Sequence, residues 1–239
     1  MNTIDTEAGL RFDRDVHTNI TAKANDDSGG LLNVKQLRWV VKANRDQDWH
    51  QTESKFHFDN CAFEEGVNYI QSQWSMIDFC DDHYSEAALH AFGRLLHAVQ
   101  DFYSHSDWVE RHLDEESIPV WDLDVKSLPS GLVSGTWKLG FPKKCSSGTP
   151  SHGELNKDNR NSSKGKVIVN SGPHKGKSLF ELAFEAAVRA SIEQFDRLKL
   201  AAVRLGLDST TSEKDLTQDL VTESLAALAE RTEGLRDRM

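Results

Sequence analysis

The sequence predicts an all-α protein, a helical bundle interrupted by one long irregular insert. Three observations predict it. Over 84–112, Ala88, Leu89, Phe92, Leu95, Leu96, Val99 and Phe102 follow the 3.6-residue helical period with no proline between them. Residues 178–207 form a second such run, rich in Ala and Leu. All five prolines (119, 129, 142, 150 and 173) fall instead within 118–173, where glycine is also frequent.

The elements follow in chain order. Residues 1–15 read as a loosely docked start. The run DVHTNITAKAN (15–25) suits a short helix capped by Asp15 and broken by Gly29 and Gly30. LLNVKQLRWVVKANRD (31–46) reads as the next helix, and the polar, histidine-bearing stretch 47–60 as a loop. Phe63, Val67, Ile70, Trp74 and Ile77 place a helix over 61–78. After the 84–112 helix comes the insert, about 118–173, with room for short strands over 135–141 and 166–170. Its length marks it as a lid over a site, or a wall of one, rather than a second domain. One domain is therefore expected over 1–207. The remainder, 208–239, is an acidic tail or a docked amphipathic helix with its stripe at Leu216, Leu220, Leu225 and Leu228.

With 239 residues the chain can bury one sizeable core. Its net charge of -10 excludes a protein that grips duplex nucleic acid by neutralising phosphates. It does not exclude an enzyme that touches a phosphodiester only through bound metal. No apolar run reaches the ~18 residues of a transmembrane helix. The N-terminal MNTIDTEAGLRFDRD has neither the basic nor the apolar region of a signal peptide. Cys61, Cys80 and Cys145 are odd in number and widely spaced, with no CxxC. They point to free thiols, Cys145 included, in a reducing cytoplasm.

The chemistry concentrates in AALHAFGRLLHAVQDFYSHSDW (87–108). His97, Asp101 and His105 stand at i, i+4 and i+8 and so fall within roughly 80° of one another on a helix. His90, seven residues before His97, shares that face as its weaker member. Burying three imidazoles and a carboxylate unpaired is costly. A divalent cation removes that cost, because neutral imidazole and carboxylate are good zinc ligands. Other segments offer partners: His57 and Asp59 of FHFD, on one side of an extended segment; His17 in the first helix; His152, with Asp158, in SHGELNKDN; and His174 just before the last helix.

These residues carry a resemblance. FGRLLHAVQDFYSHSDWVE (92–110), with VHTNITAKA (16–24), FHFDN (56–60) and SHGELNKDN (151–159) in order, resembles the HET-C family of heterokaryon-incompatibility, cell-death proteins. The resemblance covers about 16–200. That family is in turn similar to the zinc-dependent phospholipase C and single-strand nuclease superfamily, which implies an almost wholly helical fold around a zinc cluster. It implies His97 and Asp101 as a ligand pair, with Asp101 bridging. It also implies His17, His57, Asp59, His105 and His174 as further ligands. His90, His152, Asp158 and Glu181 are accessory candidates. The superfamily spacing His–x3–Asp–x5–His is here His97–x3–Asp101–x3–His105. Ser178 stands where its last helix has Glu, leaving Glu181 as the nearest carboxylate. One or two zinc ions are expected rather than three.

The resemblance implies a metal-dependent, cell-death-inducing toxin that acts at the membrane by hydrolysing phospholipid phosphodiesters, with Asp59 and Asp101 as catalytic carboxylates. A regulatory partner or a protease would release it, and a homo-oligomer is a further expectation. Two alternatives stand beside it: an inactive scaffold that perturbs membranes through amphipathic helices, and a zinc-dependent single-strand nuclease. The expected place is the cytoplasm, acting at the membrane.

Overall fold

A computed structural model describes residues 12–209. The first eleven residues and the leucine stripe of the tail lie outside them. The described chain is almost entirely helix and irregular loop: α1 Phe12–Asp27, α2 Val34–Asp46, α3 Ser54–His57, α4 Phe63–Asp78, α5 Glu86–His105, α6 Trp108–Arg111, α7 His152–Leu155 and α8 Leu179–Ser209.

Helix α5 is the axis of the bundle, with α1, α2, α4 and α8 packed around it. Its N-cap is Ser85, whose side chain accepts from the Ala88 amide. From Leu95 to His105 every residue is buried. Phe92 meets Trp74 of α4 and Phe195 of α8 edge-on, at 5.9 and 5.0 Å between ring centroids. Phe102 stacks on Trp121 of the insert at 4.4 Å. A helix enclosed on all sides can carry polar side chains only where its neighbours supply partners. Gly93 sets how closely one neighbour approaches. A Cβ there would lie 2.2 Å from the carbonyl oxygen of Val40, so α2 rests directly on the α5 backbone.

Local chemistry moves several boundaries from their expected places. Asp15 lies inside α1 rather than capping it. Helix α2 begins at Val34 and not at residue 31, because Asn33 accepts from the Lys35 and Gln36 amides while the Gln36 side chain returns to the Asn33 amide, a capping box. The expected 84–112 helix stops at His105. Ser106 is extended, its hydroxyl bonds the Phe102 carbonyl, and Asp107 N–H donates to Val133 O of the insert. The 47–60 stretch is a series of tight turns rather than an open loop, and the His57–Asp59 segment is not extended: Phe58, Asn60 and Cys61 all have positive φ.

Among the described residues the insert contains no strand longer than an isolated bridge. Glu53–Phe141, Ser106–Ser134, Thr136–Ser151 and Ile168–Ser178 are paired singly. Gly135 allows the insert to lie against α7, since a Cβ there would sit 2.5 Å from His152 Cα. The cysteine expectation is overturned. Cys61 and Cys145, 84 residues apart, form a disulfide, and Cys80 is the free cysteine. Wide spacing hid a pairing that arises when the insert folds back on the 59–61 turn. The same contact is made by backbone: Asn60 O accepts from Lys144 and Cys145 amides at 2.8 and 3.1 Å. No helix among the described residues is long and apolar enough to cross a membrane.

The α2–α5 contact is directly testable. Gly93→Ala is expected to cost about 1–3 kcal/mol by overpacking, read as a lowered denaturation midpoint. Gly153→Ala, where an added Cβ meets nothing within 4 Å, is the control. Equal midpoints for the two variants would contradict this account of the packing.

Candidate metal centre

The buried end of α5 carries His97, Gln100, Asp101, Ser104 and His105. The two oxygens of Asp101 face different imidazoles. Oδ2 lies 2.9 Å from His57 Nδ1 and 3.0 Å from His97 Nε2. Oδ1 lies 3.1 Å from His17 Nε2 and 3.9 Å from His105 Nε2. His97 Nε2 and His57 Nδ1 are themselves 3.0 Å apart, and the His17 and His97 rings stack at 4.4 Å. His17, His57, Asp59, His97, Asp101 and His105 are all buried.

The hydrogen bonds at the far side of each ring fix where the protons are. Gln100 Nε2 donates to Thr21 and Ser191, so its Oε1 is the acceptor for His17 Nδ1 at 2.7 Å. His17 Nε2 then presents a lone pair to a carboxylate oxygen. Asn44 Nδ2 donates to Thr21 and Gln100, which leaves its Oδ1 to face His97 Nδ1 at 3.3 Å. His97 Nε2 therefore also turns a lone pair on Asp101. His105 Nδ1 donates to the His57 carbonyl at 2.9 Å, and its Nε2 faces Asp158 at 3.1 and 3.2 Å. Three imidazole lone pairs thus converge on carboxylates. His57 Nε2 and Asp101 Oδ1 are buried without a hydrogen-bond partner of good geometry. Lone pairs do not bond one another. Only added protons or a cation make this arrangement favourable.

Four groups of three potential ligands overlap along this chain of contacts: His17, Asp48 and His97; His57, His97 and Asp101; Asp59, His105 and His152; Asp101, His105 and Asp158. Within each, the ligand atoms lie within 4.8 Å of one another. Imidazole and carboxylate without thiolate suit Zn2+ or a similar divalent ion. His152 is the most constrained member. Asn156 Nδ2 lies 3.1 Å from its Nε2, which directs a proton on Nδ1 to Asp59 Oδ1 at 2.9 Å. Asp158 is held by His105 and by the Ser104 hydroxyl.

Without metal, protons take the cation's place. Burial acts against a charge on His17, but Asp101 and Asp48 outweigh it and push the imidazole up to about 9. Burial likewise opposes a charge on His105, and Asp158, Asp101 and Asp59 together lift it well above the usual histidine range. His97 is pushed down by burial and by the neighbouring His17 and His57 against the pull of Asp101. Asp101 is held well below the usual carboxylate range, because His97, His105 and His17 overcome its burial.

Some sequence candidates lie elsewhere. His90 is half-buried two turns below, with Glu86 3.9 Å away. His174 is buried at the end of the insert and belongs to none of the four groups. Glu181 has another task. Its carboxylate accepts from the Ser178 amide at 2.8 Å and hydroxyl at 2.9 Å, capping α8, and it pairs with Arg160. Conversely, Asp48 and the orienting amides Asn44 and Gln100 escaped the sequence reading. Asp48 gave a weak signal, a carboxylate four residues after Asn44 in the histidine-bearing turn. Asn44 and Gln100 gave none, since buried amides have no spacing rule.

A family model described as the VWA7 N-terminal domain matches residues 16–118. That span carries α1 to α6 and seven of the clustered residues: His17, Asp48, His57, Asp59, His97, Asp101 and His105. It ends before the insert that supplies His152 and Asp158. No curated protein and no solved structure matches the chain.

Two outcomes follow from the centre. Asp101→Asn removes a charge that faces four imidazoles and is expected to abolish stoichiometric divalent metal, measured on purified protein by mass spectrometry. His90→Ala and Glu181→Gln are expected to retain it. The second outcome concerns pH. In metal-free protein the His17 contribution to stability is complete below its ordinary 6.5 and is lost as pH rises through about 9. That of Asp101 is present above 3.8 and lost as pH falls. A bound cation replaces the protons on the alkaline side. The gap in Tm between metal-loaded and metal-free protein should therefore widen from about pH 6 to about pH 9; a constant gap would count against proton-for-metal exchange.

Proposed function

We propose that the chain is a metal-dependent phosphodiester hydrolase acting on phospholipid head groups. The observation that supports it most is the shared carboxylate, Asp101, with one oxygen toward His57 and His97 and the other toward His17 and His105. Purely structural sites are closed around one ion by four ligands, whereas bridging carboxylates and mixed His/Asp sets belong with hydrolytic centres. A bound divalent cation, Zn2+ foremost, would supply Lewis acidity toward a phosphoryl oxygen and a water that is nucleophilic near neutral pH. His17, Asp48, His57, His97 and Asp101 would hold it on one side of the cluster, and Asp59, His105, His152 and Asp158 on the other.

The chain's own groups do the remaining work. A small pocket of about 20 Å³ lies between α1, α5 and α8, with His17, Asp101, Ser104 and Asp158 among its lining residues. That is space for about one water. Asp158, oriented by Ser104 and His105, is placed to accept a hydrogen bond from such a water and to aim it. We assign this role to Asp158 in place of Asp59, because Asp158 lines the pocket and Asp59 does not. Val16, Ile20, Phe180 and Phe184 supply apolar walls, and Gln100 and the buried Lys157 complete the polar part of the lining. Apolar side chains in the walls favour an acyl-bearing substrate over a nucleic acid.

The rival reading, a scaffold that inserts amphipathic helices, meets a physical obstacle. The apolar side chains of α8, among them Leu182, Ala186, Phe195 and Leu198, are already committed to the core. Insertion would have to pull α8 from the bundle. A cell-death role, restrained by a partner or a protease, and the finer architectural likeness to phospholipase C come from the HET-C resemblance. The Cys61–Cys145 disulfide favours an oxidising compartment over the cytoplasm expected from the sequence.

The test is hydrolysis of short-chain phosphatidylcholine, bis(p-nitrophenyl) phosphate and a single-stranded oligonucleotide by zinc-loaded protein. Release of phosphorylated head group is expected. It should fall by at least about a hundredfold in Asp101→Asn and by about tenfold or more in Asp158→Asn. Cleavage of the oligonucleotide alone would move the reading to a nuclease. No cleavage of any of the three by metal-loaded protein would end it.

A further inference from the structure

On an acidic chain, α2 is a cationic helix. Lys35, Arg38, Lys42 and Arg45 recur at steps of three, four and three and so form one stripe, while Asp46 is the only acid of the helix. Lys35, Arg38 and Lys42 are exposed. Beside the stripe run Val34, Leu37 and Val41. With Thr18 and Ala22 of α1 they line a groove of about 580 Å³. Two large apolar residues stand out at the ends of this segment: Val34 at its start is 70% exposed, and Trp49, just beyond its end, 73%. Lys42 shares its charge with Asp46 at 2.6 Å. Arg38 has no carboxylate within salt-bridge distance among the described residues.

Hydrogen bonds of Asn44 tie this face to α1 and to the metal centre. Asn44 Nδ2 donates to Thr21 Oγ1 at 3.2 Å, which sets the end of α2 level with the middle of α1. The groove therefore flanks α1 on one side, through Thr18 and Ala22, and the pocket beside His17 and Asp101 flanks it on the other, through Val16 and Ile20. Thr18 and Ala22 of the groove and Val16 and Ile20 of the pocket thus occupy opposite faces of one helix.

We propose that the α1–α2 face is the surface on which this protein docks an anionic phospholipid bilayer. The chemistry is complementary in two ways. A row of guanidinium and ammonium groups attracts the charged leaflet, and its field acts within a Debye length, so the acidic remainder of the chain does not cancel it at contact. Val34, Leu37 and Val41 along the groove, and Trp49 beside it, suit the boundary between head groups and acyl chains, where aliphatic and indole side chains partition. Docking this way needs no helix to cross the membrane. Its meaning as a substrate surface rests on the hydrolase reading, but the docking itself does not.

The experiment is co-sedimentation of the full chain with vesicles of phosphatidylcholine alone and of phosphatidylcholine with phosphatidylserine at 7:3, in low and high salt. Binding is expected to the anionic vesicles only, and to weaken in high salt. The triple variant Arg38→Gln, Lys42→Gln, Arg45→Gln keeps helix-forming side chains. It should bind at least about tenfold more weakly while retaining full metal content and unchanged turnover of bis(p-nitrophenyl) phosphate, which shows that it is folded. A second variant, Val34→Ala with Trp49→Ala, should weaken binding without altering its salt dependence. Absence of vesicle binding in the wild type, or equal binding by the triple variant, would overturn the proposal whether or not soluble phosphodiester is cleaved. So would a concentration-dependent dimer that the triple variant abolishes, with no vesicle binding, since that would make the face a self-association surface. Vesicle binding without hydrolysis of any phosphodiester would leave the docking in place and remove the hydrolase reading alone.

Discussion

Asp101 is a carboxylate at the centre of a bundle, 1% exposed, and the architecture around it is arranged to make that burial tolerable. An isolated ionised carboxylate in such a place would neutralise by taking a proton. Here imidazoles from three separate segments, α1, the 54–61 turns and α5 itself, surround it. Two amides and a backbone carbonyl then hold the imidazoles with their lone pairs inward. Helix α5 cannot shift without moving all of these, and α1 and α2 cannot leave without exposing the Asn44–Gln100–Thr21 bridge that orients His17 and His97. The hydrophobic core, with Phe92, Trp74 and Phe195 in contact within it, would tolerate many exchanges of similar volume. The polar end of α5 would not, because its imidazoles and carboxylate are held in one orientation by the amides and the carbonyl behind them.

The disulfide and the insert extend the same constraint outward. The 59–61 turn adopts left-handed backbone at Phe58, Asn60 and Cys61, an arrangement that costs energy for residues with side chains and persists only where the surroundings impose it. The imposition is visible. Asn60 is bonded through both backbone and side chain to Gly135, Trp137, Lys144 and Cys145, and Cys61 is covalently tied to Cys145. The reward is positional: His57 is aimed at Asp101 and Asp59 at His152. The insert then returns His152 and Asp158 to the same cluster. What the proline-rich texture marks as irregular is a wall built by single bridges and side-chain bonds, and it completes the centre.

How much of this was legible in the sequence divides along physical lines. The long helices were, because α4, α5 and α8 bury apolar residues at helical period over many turns. The face bearing His97, Asp101 and His105 was legible for the same reason, since it follows from 100° per residue alone. Boundaries set by side-chain bonds were not: Asn33 takes the start of α2, and Ser106 ends α5 by binding its own helix and the insert. The Cys61–Cys145 pair and the place of Asp48 depend on how distant segments meet, which no local period encodes, whereas Asp158 was marked by its motif with His152. Glu181 stands at plausible spacing within α8, but its carboxylate is used in capping that helix, and a side chain with its hydrogen bonds satisfied locally is drawn away from a site. His174, before α8, is buried but belongs to none of the four groups. Asn44 and Gln100 lie at the limit of such reading: they act through other residues, and nothing in their spacing announces it.

The separation of tasks between helices argues for a surface as well as a centre. The residues of α5 at the cluster are wholly enclosed, so on the hydrolase reading a large substrate would be met at another surface. The walls that remain, Val16, Ile20, Phe180 and Phe184, come from α1 and α8, and the next accessible face around α1 is that of α2. Helix α2 thus presents two unlike sides. Inward, Asn44 holds a histidine in register. Outward, a cationic stripe faces solvent on a chain whose charge is otherwise negative. Stability of the bundle does not require four like charges in a row on one helix, which repel one another at i, i+3 and i+4 spacing. Lys42 pairs with Asp46 and Lys35 lies over the Trp39 ring, but an arrangement of four cations that costs stability is best explained by something of opposite charge that comes to it.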